Sequence, residues 1–131
     1  MDDLQKSELV ISKILSLVIS WGIQSSDLKF EELELDQSYK TFFIPCVRWL
    51  CDEGVLRALK IHTLASGGGI ITNPVLTSYG MNLMGETIQL GNEAEKMATA
   101  VGKVSSGERS YSQTGDFLGG LLGGFTKSLG T

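Results

Sequence analysis

Leu59-Lys60-Ile61-His62-Thr63 alternates apolar and polar residues, and after the glycine-rich Ser66-Gly67-Gly68-Gly69 the strand-like run Ile70-Ile71-Thr72 resumes. A period of two, broken by glycines that tolerate a tight reversal, predicts a two-stranded β-hairpin. On both sides of it the apolar residues recur instead at three and four, the period of an amphipathic helix. A strand pattern enclosed by helix patterns restricts the chain to a mostly helical α+β fold.

The first helix is expected from about Leu4 to Trp21. Ile11, Ile14, Leu15 and Val18 repeat at helical spacing, and Val10, Leu17 and Trp21 widen the apolar side. Asp2 or Asp3 can cap its start and Gly22 can end it. So broad an apolar face implies a central helix, or one that also meets a partner subunit. Ile23 to Asp36 fits neither period and is left as a short helix or strand. A second helix is expected from Ser38 to Glu53, with Phe43, Cys46, Val47 and Leu50 inward and Lys40, Arg48 and Asp52 outward. Pro45 must kink it or mark its true first turn, and Gly54 is its natural stop. Thr77 can cap a third helix containing Tyr79, Leu83 and Met84. Asn92 with Glu95 has the spacing of a capping box for a fourth, containing Ala94, Met97, Ala98 and Val101.

At 131 residues the chain is long enough for one core and not for two. The expected layout is a domain over residues 1–104, a polar linker over 105–115 and a glycine-rich apolar segment over 116–131. The acidic start Met1-Asp2-Asp3 is unlike a secretory signal, and no run nears the roughly 20 apolar residues of a membrane span. A cytoplasmic location is the expectation. Cys46 and Cys51 lie on different faces of a helix and cannot pair locally, so they read as small apolar residues. A single histidine, His62, leaves no metal-ligand cluster, and no cofactor is expected.

The net charge of −4 is distributed as −5 over residues 1–37, +2 over 38–77 and −1 over 78–131. No long basic face follows from that, which weighs against non-specific nucleic-acid binding. Enzyme chemistry finds no foothold. Gly67-Gly68-Gly69 lacks the following Lys-Ser/Thr of a phosphate loop and leads into no helix. Asp27, Glu31, Glu32, Glu34 and Asp36 have no partner base and read as a solvated acidic face.

The run Val47-Arg48-Trp49-Leu50-Cys51-Asp52-Glu53-Gly54-Val55-Leu56 resembles the end of the second or third helix in winged helix-turn-helix domains. In that family a leucine, an acidic pair, a glycine and an aliphatic residue end the recognition helix and start the wing. Leu59 to Thr72 would then be the wing. Leu76-Thr77-Ser78-Tyr79-Gly80-Met81-Asn82-Leu83 is similar to the family's exit, where a strand ends in Leu-Thr before the next helix. The resemblance spans about residues 4–90. The chain departs from the pattern in having no evident second helix and in carrying Pro45. More loosely, it resembles small bacterial proteins with a glycine-rich C-terminal end.

The family resemblance implies either DNA binding or protein contact. For DNA the candidate residues are Lys40, Arg48, Arg57 and Lys60, but Asp52-Glu53 would face the phosphates. The acidic balance suits a protein partner or a second copy better. The docking element expected for it is the C-terminal segment. There Gly115, Gly119 and Gly123 recur every four residues, as do Gly120 and Gly124. As a helix the segment would gather Phe117, Leu118, Leu121, Leu122, Phe125 and Leu129 on one side. Its five glycines cost about 4–5 kcal/mol relative to alanine. Burying two Phe and four Leu returns on the order of 10 kcal/mol, so only contact can order it. From Phe117 to Leu129 such a helix would be about 20 Å long, short of a roughly 30 Å bilayer core. The expected function is a dimeric, non-enzymatic interaction module. A DNA-binding regulator is the alternative, and an immunity or antitoxin-like inhibitor a third.

Overall fold

The computed structural model describes residues 2–90 and 93–108. The candidate segment 115–125 lies outside the described residues. Within them the fold is α+β, with four α-helices and small antiparallel sheets.

Helix α1, Asp3–Trp21, is set by its ends as the sequence implies. The Gln5 amide donates to Asp2 Oδ1 at 2.8 Å and the Asp2 amide to Gln5 Oε1 at 2.9 Å, a reciprocal capping box. Gly22 closes the helix at φ +69°, where a side chain would be strained. Val10, Ile11, Ile14, Leu15 and Val18 are buried, and the helix packs against Phe43–Asp52, Val75–Leu76 and Met97–Ser106, among others.

The stretch without a clear period contains strand β1, Asp27–Lys29, and a 3-10 turn, Phe30–Leu33. The helix expected over Ser38–Glu53 is divided. Gln37–Phe42 is 3-10, and α2 covers only Phe43–Asp52. Pro45 is the reason. Within one continuous α-helix its ring would strike the Thr41 carbonyl, whereas as the third residue of α2 its missing N–H goes unused. Phe43, Cys46, Val47 and Leu50 are buried as expected, and Phe43 meets Phe30 edge-on with ring centroids 6.0 Å apart. Gly54 ends the segment at φ +79°.

Strands β2 (Leu56–Arg57), β3 (Lys60–Thr63), β4 (Gly69–Thr72) and β5 (Val75–Leu76) follow. The hairpin β3–β4 forms where the alternation predicts it, but it is not merely two-stranded. β1 pairs with the other edge of β4, giving the antiparallel order β1–β4–β3. Leu28, Ile71 and Ile61 stand in register on the core face of that sheet. β2 pairs separately with β5.

Thr77 caps α3, Ser78–Gly85, by accepting the Gly80 amide at 2.9 Å. Its hydroxyl also donates to the Gly54 carbonyl, tying the helix start to the end of α2. Thr77→Ala is expected to lower stability by about 1 kcal/mol, measured by urea unfolding. An unchanged midpoint would show that the cap is idle.

The fourth helix starts later than the Asn92–Glu95 spacing implies. Glu93–Lys96 is strand β7, paired with β6, Thr87–Leu90, and α4 is Met97–Ser106. The Met97 amide donates to the Glu86 carbonyl at 2.8 Å, holding the hairpin's base against the helix start. Tertiary pairing overrides the local helical signal here. Met97, Ala100, Val101 and Val104 are buried, and α4 continues through Ser105 and Ser106, which composition assigns to the linker.

Candidate functional site

The four candidate cations belong to four different elements, the 3-10 segment, α2, β2 and β3. Arg48 is exposed on α2, one turn before the exposed Asp52. Lys40 does not point away from the domain as its helical phase implies. It leaves the 3-10 segment half-buried and crosses the hairpin tip, with Cε 2.9 Å from where a Gly68 Cβ would stand. A side chain at 68 would make the flexible end of Lys40 shift. Lys40 lines a cavity of about 510 Å³ with Lys29, Glu31 and Leu64 among others.

Lys60 is exposed on the outer face of the three-stranded sheet. The register sets it in a row with Thr72 and Asp27, and the next row on that face is His62, Ile70 and Lys29. Lys29 is a cation that sequence reasoning missed. It could be placed only by knowing that Asp27–Lys29 is a strand and which edge it joins. His62 is exposed, in keeping with its polar phase.

Arg57 stands elsewhere, at a groove of about 500 Å³ lined by Ile23, Ala58, Leu59, Asn73 and Val75 among others. Ile23 and Leu59 are 77% and 75% exposed, the two most exposed large apolar side chains among the described residues. The wall carrying Ile23 is held in place. The Asn73 amide donates to the Ser26 carbonyl at 2.7 Å, and the Ser26 amide donates to Asn73 Oδ1 at 3.0 Å. Asn73 sits at φ +50°, a left-handed conformation that asparagine accepts more readily than most residues. Leu59 opens the alternating run in its apolar phase but lies just before β3, which begins at Lys60, and Ile23 falls in the stretch that fits no period, so only the tertiary fold sets their exposure.

Glu8 on α1 is fully buried, and neither carboxylate oxygen has a hydrogen-bond partner among the described residues. Burial, with the nearby Asp2 charge adding to it, pushes its pKa up to about 7. The two cysteines are free. Cys46 is buried, its Sγ 3.8 Å from the Ser7 carbonyl, and burial raises the thiol to about 11. Burial, then the Asp52 charge, also raises Cys51. Raised thiols hold little thiolate near neutrality and make poor nucleophiles.

Among the described residues no group of His, Cys, Asp and Glu is placed to hold a metal ion. No described helix is long and apolar enough to cross a membrane. The described residues present an apolar groove with one guanidinium, a cavity lined by Lys29, Glu31 and Lys40 at the hairpin tip, and a polar sheet face. Comparison with family models, with curated proteins and with solved structures finds no match to this chain.

Proposed function

We propose that the chain is a winged-helix domain used as a protein-interaction module, with the C-terminal segment 116–131 as its docking element. The order helix, strand, helix, hairpin, with sheet order β1–β4–β3, supports the winged-helix assignment. In this reading α2 serves as the recognition helix and the 3-10 segment Gln37–Phe42 replaces the family's second helix. The observation that carries the interaction role is the groove at Ile23 and Leu59. Two exposed aliphatic side chains beside a guanidinium suit a protein surface, which combines apolar contact with charge pairing. Duplex DNA asks instead for several cations along one track, and a net charge of −4 with Asp52-Glu53 at the end of α2 suits that less well.

The alternative, a DNA-binding regulator, draws on Lys40, Arg48, Arg57 and Lys60, with Lys29 on the same sheet face as Lys60. Salt separates the two. A regulator making 6–10 phosphate contacts loses about 10³–10⁵ in affinity between 50 and 200 mM salt. The module is expected to leave labelled duplex DNA unbound at both. It is also expected to hold one stoichiometric protein, a second copy or a different chain, that a truncation after Ser106 releases. Light scattering of the eluted complex tells which. Salt-dependent DNA binding, with nothing lost on truncation, would replace this function with the regulator.

A further inference from the structure

The groove beside Arg57 lies within reach of the chain's own end. Ser105, in the last turn of α4, shares a cleft with Ser16, Leu17 and Ser20 of α1. The chain therefore leaves α4 close to where α1 stops, and Ile23 follows Ser20 by three residues. From Glu108 to Asp116 is eight residues, which extended span at most about 26–29 Å. The chemistry matches as well as the reach. Asp116 is the only acid in residues 116–131, and Phe117-Leu118 follow it directly. Arg57 is the only charged residue among those lining the groove, with the apolar Ile23, Leu59 and Val75 around it.

We propose that this groove is the seat of the chain's own segment Asp116–Leu122, with the Asp116 carboxylate against Arg57 and the apolar residues after it between Ile23 and Leu59. The proposal rests on the docking-element role of that segment and names the surface that holds it. A short joint keeps the segment at an effective concentration near millimolar, so at micromolar protein the seat is filled within one chain. The seat then covers the docking element and the groove together, and a partner must displace the segment to reach either.

Hydrogen exchange read by mass spectrometry on the full chain tests this, following the peptide spanning residues 115–126. Ile23→Asp and Leu59→Asp alter side chains that are already exposed, and unchanged protection of α1 checks that the fold survives. Exchange of the peptide is expected to speed up at least tenfold in either variant. Arg57→Glu and Asp116→Lys are each expected to do the same, and the double variant to recover most of the protection. Exchange that is equal in all these proteins overturns the seat. So does a doubled mass of the full chain that Leu59→Asp abolishes, since the segment would then sit in a second copy. Partner capture by the same proteins separates this proposal from the function it rests on. Capture that needs the segment while its exchange ignores the groove sinks the seat alone. Groove-dependent protection with capture indifferent to the segment sinks the docking role and leaves the seat as an internal clamp.

Discussion

Replacing Glu8 by glutamine is expected to abolish a fall in stability of about 3 kcal/mol that the native chain undergoes as pH rises from 4.5 to above 7. The buried carboxyl has its pKa raised from 4.5 to about 7, so the folded state binds the proton more tightly than the unfolded chain. Below pH 4.5 both states hold the proton and the full stability is present. Between 4.5 and 7 the unfolded chain releases it while the folded one keeps it, and stability declines by about 1.36 kcal/mol per pH unit. Above 7 the carboxylate is charged in both states and the loss is complete. Glutamine copies the protonated acid in size and polarity and cannot ionise. In urea unfolding at pH 5 and pH 8 the native protein should therefore lose stability and Glu8→Gln should not, with the variant the more stable of the two at pH 8. Parallel pH dependences in the two proteins would refute the assignment.

A second large effect has opposite signs at two glycines. Gly80 in α3 is buried against Val55 and Leu76, and an added Cβ would stand 2.2 Å from the Val55 carbonyl oxygen. That oxygen has little room to retreat, because it accepts the Thr77 amide at 3.0 Å. Alanine gains about 1 kcal/mol of helix propensity over glycine. Overpacking against fixed backbone costs up to about 3 kcal/mol or more, so Gly80→Ala should destabilise by about 2 kcal/mol. Gly102 in α4 has nothing among the described residues within 4 Å of its Cβ position. There only the propensity remains, and Gly102→Ala should stabilise by up to about 1 kcal/mol. Thermal or urea unfolding that moves both variants in the same direction would contradict the packing at α3.

What the sequence disclosed is what neighbouring residues decide among themselves. The Asp2 cap of α1, the stops at Gly22 and Gly54, the hairpin around the glycine run and the Thr77 cap all follow from local turn and capping chemistry. Strand β1 stayed ambiguous because three residues, Asp27-Leu28-Lys29, are too few to establish a period. Residues 93–96 were misjudged for a related reason. Ala94, Met97, Ala98 and Val101 have helical spacing, and only the pairing with Thr87–Leu90 pulls Glu93–Lys96 into a strand. Less of the candidate site was legible. The isolated charge of Glu8, the exposure of Ile23 and Leu59, and the lie of Lys40 over Gly68 each depend on a segment distant in sequence. No periodicity reports such contacts. The DNA candidates were chosen by helical and strand phase, which fixes direction from a local axis but not whether separate elements face the same way.

The packing of α1 against α4 bears on how the polypeptide acquires its shape. The two helices join residues near opposite ends of the described chain, and Val10, Ile14, Met97 and Val101 belong to one cluster. Closing a loop of about 80 residues must precede any gain from that contact, and such non-local closure slows folding. During synthesis the part of the apolar face of α1 that meets α4 would stay uncovered until α4 is made. The nascent chain is thus open to aggregation or chaperone capture for most of its elongation. Fusions stopped before Met97 should bind a hydrophobic dye that fusions including Ser106 no longer bind.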